Sequence, residues 1–237
     1  MPFPQAIANV RNAVGAILRL HRLPNNQINA AIVGTGWCIV ENRYLVTAQH
    51  VFNNEQQRDA NDRFFVFCVP QNGMSAYHAP VVSFPLEDIH NDIAIIEIDA
   101  SINQSFRLQS VPVTFRKHLD GEKVLTYGFP APKVFQAQVD NNLNWMGGSL
   151  FLKGHANEGI ISGQFDLNGQ YTYELNVGWF QGESGGPIFS LNPIAVFALM
   201  QRYRNVETPH GTVPGPHQGR SVTLIENSLQ QMGAAIL

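Results

Sequence analysis

Charged residues are scarce in this sequence. They make up 14% of its 237 residues, with 15 Lys and Arg set against 18 Asp and Glu for a net charge of −3. The basic residues are scattered and form no run, which gives no reason to expect nucleic acid as a partner. Cysteine is scarcer still. Cys38 and Cys68 lie inside apolar, strand-like segments, where buried free thiols are the ordinary outcome. That usage suits a reducing compartment and a cytoplasmic protein, with a single disulfide as the alternative. Metal-site patterns are missing: there is no HExxH and no CxxC, and the eight histidines are spread along the chain, so no metal and no cofactor is expected. His210 and His217 fall in a Pro/Gly-rich stretch, where they read as ordinary loop residues before they read as metal ligands.

Long hydrophobic runs are also absent. The longest near the start, Ala13–Leu18, is bracketed by Arg11 and Arg19 and is too short for a membrane helix. No A-x-A-like cleavage site follows it, so it makes a weak signal peptide. What the chain has is 44% hydrophobic residues, enough for one large or two small domains with a real core and little disorder.

Residues 5–21 read as an amphipathic helix, with Ala6, Val10, Ala13, Val14 and Ile17 at helical spacing and Pro4 suited to its start. The helix packs on the domain body, or it serves as a targeting or membrane-surface segment. Pro24-Asn25-Asn26 ends it. From Ala30 the period changes to short β-branched and aromatic runs separated by turn residues. One set is Ala31–Val40, Tyr44–Ala48, Phe64–Val69, His78–Pro85 and Asp92–Ile98. The second is Lys123–Tyr127, Val134–Val139, Ser149–Lys153, Gly159–Asp166, Tyr171–Asn176, Ile188–Ser190 and Ile194–Arg202. Two successive groups of about six strands predict an all-β protein of two packed antiparallel barrels. The divisions expected are a helix and linker over 1–29, a first barrel over 30–115, a second over 116–205, and a loop and closing helix over 206–237. Pro209, Gly211, Pro214, Gly215, Pro216 and Gly219 mark 203–220 as a loop, and Thr223–Met232 reads as the last helix, stopped by Gly233.

The most informative stretch is Gly182-Glu183-Ser184-Gly185-Gly186-Pro187. Glycines around one serine let backbone approach a ligand closely. The N–H groups of Gly182 and Ser184 could converge on one point, which is how an oxyanion hole is built. A serine there needs a base, because a free hydroxyl is a poor nucleophile at neutral pH. The spacing G-x-S-x-G also fits the nucleophile elbow of α/β-hydrolases. That elbow leads into a helix, whereas Gly185, Gly186 and Pro187 lead into strand-like Ile188-Phe189. Its acid and histidine also come later in the chain, and after Ser184 only Glu207 precedes a histidine.

Upstream partners are better. His50 ends the apolar run Tyr44–Gln49, so a rigid strand delivers an imidazole to the start of the polar segment Asn53–Arg63. An incidental strand-end histidine is the alternative. Asp92 opens the run Ile93–Ile96, and a carboxylate set against a buried strand needs a hydrogen-bond partner. A histidine Nδ1–H would satisfy it and fix the tautomer. Asp88 and Asp99 are nearby examples of the plain turn aspartate that Asp92 would otherwise be.

Order, context and spacing, roughly forty and then roughly ninety residues, together resemble a trypsin/chymotrypsin-type serine peptidase. Gly34–Val40 resembles that family's G-[ST]-G-F strand, Val46–Val51 its VTAAHV histidine box, Asp92–Ile96 its DIALL box and Gly182–Pro187 its GDSGGP box. The likeness covers roughly 30–202 and is closest to Deg-like and other bacterial or viral members. It implies two six-stranded barrels with the site between them, a polypeptide substrate, His50 as general base, Asp92 as its orienter, Ser184 as nucleophile, and an oxyanion hole from the Gly182 and Ser184 N–H groups. It also places the base of the primary pocket at Gly178, beside apolar Val177, Trp179 and Phe180, with Ala198, Leu199 and Met200 on the opposite wall. Such a pocket favours uncharged, small to medium side chains over Lys or Arg.

The sequence departs from the pattern at Gln49, where alanine is usual, and at Glu183, where aspartate is usual. The disulfides of secreted members are missing, and 206–237 is too short for a PDZ-like domain. Ile32-Val33-Gly34 resembles a zymogen activation sequence but already belongs to the first strand, which makes it a decoy. Two other functions compete with a constitutive endopeptidase: a peptidase-fold binding module, and an interaction or defence protein switched on by a protein activator. Substrate identity and oligomeric state are not readable from the chain.

Overall fold

A computed structural model describes residues 3–52, 59, 61–69, 75–178, 180–209 and 211–237. It begins with helix α1 (Phe3–Arg11), whose Ala6 and Val10 are buried. Strands β1 (Val14–Arg22), β2 (Ile28–Val40), β3 (Tyr44–Thr47), β4 (Asp62–Cys68), β5 (Tyr77–Asp88) and β6 (Ile93–Ile98) follow. They close an antiparallel barrel in the order β1-β2-β3-β6-β5-β4.

The helix expected over 5–21 is therefore corrected. It stops at Arg11, and the run from Val14 is the first barrel strand. Residues Val14–Leu18 are buried on both faces, and a strand buried on both sides loses the alternation that marks it. Gly15 decides locally, since a Cβ there would press into Val66 of β4, and glycine weakens a helix interior. The first barrel thus starts at Val14 and not at residue 30.

The second barrel contains β7 (Lys123–Gly128), β10 (His155–Leu167), β11 (Gln170–Asn176), β12 (Pro187–Leu191), β13 (Ile194–Thr208) and β14 (Gly211–Ser221). Their order is β10-β11-β14-β13-β12-β7. Between β7 and β10 a separate hairpin, β8 (Lys133–Val139) and β9 (Trp145–Phe151), stands outside the barrel. Trp145 anchors it by stacking edge-on against Phe67 of β4, with ring centroids 5.3 Å apart.

The loop expected over 203–220 is also corrected, because β13 runs on to Thr208 and β14 pairs with both β13 and β11. Proline and glycine made β14 look irregular. Gly219 has a packing reason, since a Cβ there would collide with Ile188 in the barrel interior. His217 sits on this strand opposite Leu175, whereas His210 and Trp179 lie outside the described residues, as does most of 53–63.

Trp37, Ile17, Leu45 and Ile95 fill the first barrel, and Tyr173, Phe197, Ile188 and Leu175 the second. The connection between them is tied to both. Val111 N–H donates to Cys38 O in the first barrel, and Thr114 N–H to Val196 O in the second. The chain ends in a 3₁₀ turn (Val222–Ile225) and helix α2 (Glu226–Met232), closed by Gly233 in the left-handed conformation at φ 83°. Among the described residues no helix is long and apolar enough to cross a membrane.

Candidate active site

The imidazole of His50 is carried on a single 3₁₀ turn, Gln49–Val51, directly after β3. Apolar neighbours pin that turn: Val51 and Phe52 are buried, and the Phe52 ring meets Phe64 and Phe84 edge-on at 4.9 Å each. The ring therefore projects from a fixed base.

Asp92 stands at the mouth of β6 in the left-handed region, φ 56°, a strained place for a residue with a Cβ. Asp88 braces the same turn, accepting from Asn91 N–H at 2.9 Å and from Asn91 Nδ2 at 2.6 Å. The Asp92 carboxylate takes the His50 backbone N–H on Oδ1 at 2.9 Å and His50 Nδ1 at 3.0 and 2.8 Å on its two oxygens. An ionised carboxylate can only accept, so the proton belongs on Nδ1 and the lone pair on Nε2.

The serine loop is held from both barrels. Thr35 of β2 donates through Oγ1 to Gly182 O at 2.7 Å and through its N–H to Ser184 O at 2.8 Å. From β13, Met200 O accepts Gly185 N–H at 2.7 Å and Met200 N–H donates to Gly186 O at 2.8 Å. With these carbonyls tied back, the Gly182 and Ser184 N–H groups have no backbone acceptor among the described residues. Gly182 has φ 103°, and a Cβ there would collide with Phe129 O and Pro132. Gly185, at φ 82°, lies against Thr35 O and Thr47 Oγ1. Only glycine fits either place.

A family model described as a trypsin-like peptidase domain matches residues 34–197. The chain belongs to the trypsin-like peptidase family. Among solved structures, an HtrA-type protease with a decapeptide is similar over 99% of this chain and 68% of its own, with a TM-score of 0.61 at 14% identity, a likeness of fold. No curated protein matches. This chain is accordingly a serine peptidase, and a polypeptide is its class of substrate.

In this peptidase the Ser184 hydroxyl donates to Gln201 O at 3.3 Å, and among the described residues no hydrogen bond joins it to His50. Glu183, beside the nucleophile, is turned inward and 4% exposed. Its carboxylate accepts Phe180 N–H at 2.8 Å and a long contact from Asn157 Nδ2 at 3.5 Å. Burial without a cation pushes its pKa up to about 7.

The expected pocket residues separate. Gly178 has room for a side chain among the described residues, where an added Cβ would meet only Asn157, 3.6 Å away. Ala198, Leu199 and Met200, by contrast, are core residues with essentially no exposed surface, so they offer a substrate nothing to touch. The resemblance suggests them, but β13 is packed on both faces here, with Ala198 and Met200 in the second-barrel core and Leu199 in the larger core cluster. Asn157 and Gln201 are not marked by any motif, and Thr35, although it stands in the G-[ST]-G-F-like strand, carries no sign there of its bond to Gly182. The one local hint is Gln201, a polar residue directly after the apolar run Ile194–Met200.

Proposed function

We propose that this peptidase cleaves internal peptide bonds through an acyl-enzyme on Ser184. The observation that carries the reading is the pair of contacts from His50 Nδ1 to Asp92, which leaves Nε2 as the free base. In the reaction, a χ1 rotation takes Ser184 Oγ from Gln201 O to Nε2. As Oγ attacks the carbonyl carbon, its proton passes to Nε2. The carbonyl oxygen becomes an oxyanion received by the Gly182 and Ser184 N–H groups. His50 then protonates the leaving amine, and water repeats the sequence to free the acid. Asp92 holds the ring and stabilises the imidazolium without taking the proton.

The test is to mix the protein with an activated acetyl ester at low pH and map the acetyl group by mass. Acetylation of Ser184 that vanishes in His50→Ala supports the reading. Acetylation elsewhere, or none, overturns it.

Gly178 itself brings no charge to the place where the resemblance puts the pocket base, and on that ground we infer a preference for uncharged side chains before the cut, with poor cleavage after Lys or Arg. The two free thiols, Cys38 and Cys68, support a reducing, cytoplasmic setting. One observation favours a second reading, activation by a protein partner: the Ser184 hydroxyl rests on Gln201 rather than on His50. A partner that favours the rotated serine would raise activity without a new N-terminus, and Ile32–Gly34 lies inside β2, paired with β1.

A further inference from the structure

Asp92 belongs to the first barrel, yet the turn that carries it is gripped from the second. Three successive carbonyls of that turn accept hydrogen bonds from glutamine side chains. Gln170 at the start of β11 donates through Nε2 to His90 O. Gln201 on β13 donates through Nε2 to Asn91 O at 2.8 Å and to Asp92 O at 3.2 Å. Both acceptors near Nε2 are carbonyls, so the amide must present its NH₂ there. Gln201 is 2% exposed, and water cannot readily replace its donors. Its own backbone carbonyl is the group on which the Ser184 hydroxyl rests.

We propose that Gln201 is a positioning residue for the triad: its side-chain amide clamps the left-handed turn that aims the Asp92 carboxylate at His50, while its carbonyl parks the Ser184 hydroxyl. This rests on the peptidase mechanism proposed for Ser184. The backbone at Asp92 is strained, and strained backbone persists only where its surroundings over-determine it. On the inner side Asp88 holds Asn91. On the outer side Gln201 is the buried holder. Without its donors, two half-buried carbonyls lose their protein partners and the turn is free to relax toward ordinary φ, swinging the carboxylate off Nδ1. One residue of the second barrel thereby sets Asp92 through its side chain and the resting place of Ser184 through its backbone carbonyl, which couples the two barrels at the site.

The test uses the full chain with Gln201→Met, which keeps volume and removes the donors, and Gln201→Glu, which keeps shape and presents a carboxylate to the two carbonyls. Two readouts are taken: the downfield proton resonance of His50 Nδ1–H in its bond to Asp92, and the rate of fluorophosphonate labelling. Both variants are expected to lose the resonance and to label about 10- to 100-fold more slowly, the cost of a displacement near 1 Å. A merely structural glutamine would lower the melting temperature and leave both readouts unchanged, which overturns the proposal. The resonance does not depend on turnover. If the native chain shows it but does not label, the peptidase reading fails while the clamp is still decided. A third measurement needs no variant: the Gln201 side-chain amide protons should exchange slowly with solvent in the native chain, and fast exchange contradicts the clamp.

Discussion

Thr35 Oγ1 donates a 2.7 Å hydrogen bond to Gly182 O, across 147 residues of chain and from one barrel to the other. That bond fixes which way the peptide after Gly182 faces. The two N–H groups proposed to receive the oxyanion, those of Gly182 and Ser184, flank that peptide on either side, so a change in its orientation would displace them.

Thr35→Val should therefore slow turnover by about 10²-fold or more, the usual cost of losing one oxyanion-hole donor, with little change in KM. Thr35→Ser keeps the hydroxyl and should retain most activity. Steady-state kinetics on a peptide substrate checks both. A Val variant with native kcat would show that the Gly182 peptide needs no support from β2.

Glu183 gives a pH prediction with a definite sign. Its folded pKa, about 7, lies above the value of a carboxyl in the unfolded chain. Between those values the folded state binds the extra proton, so this group makes stability fall as pH rises from about 4.5 to about 7. Glu183→Gln removes the titration. Its melting temperature should exceed that of the native chain by most at pH 8, with the gap closing toward pH 5. A constant gap across that range would mean that Glu183 finds a cation in solution.

Asp88, Asp92 and Asp99 should behave differently. Asp92→Asn should cost about 10⁴-fold in kcat, the loss this triad template implies for a wrong histidine tautomer. Among the described residues the Asp99 carboxylate accepts only from Ser101 within its own turn, so Asp99→Asn should leave kinetics unchanged. Asp88→Asn should fall between, because Asp88 braces Asn91 next to Asp92. Equal losses at all three positions would contradict this division of roles.

Substrate preference can be read from a peptide-library digest with mass mapping of the cut sites. Cuts should follow uncharged residues. A digest dominated by cuts after Lys and Arg would place a carboxylate beside Gly178 and overturn the pocket reading.

The two barrels were legible because most strands show alternation and turn punctuation; His50 and Asp92 stand out as polar residues ending and opening apolar runs, and Ser184 by the glycines around it. β1 was hidden because burial on both faces of Val14–Leu18 erases the period that separates strand from helix. β14 was hidden because its prolines and glycines are local turn signals, overruled by pairing with β11 and β13. The roles of the supporting shell could not be read. Thr35 acts on Gly182 147 residues away, and Gln201 acts on Asn91 at a separation of 110. Neither residue type announces such a role, since the role exists only once the barrels are docked. Ala198–Met200 are covered on both faces for the same reason, since what packs against β13 is set by the docked barrels and not by position along the chain.

The most direct test of the proposed mechanism is fluorophosphonate labelling of the full-length chain, with the modified residue mapped by mass. A serine activated by His50 beside a formed oxyanion hole should label at Ser184, and labelling should fall to background in Ser184→Ala and His50→Ala variants that remain folded. Absence of label in the folded native chain, or label on another residue, would contradict it.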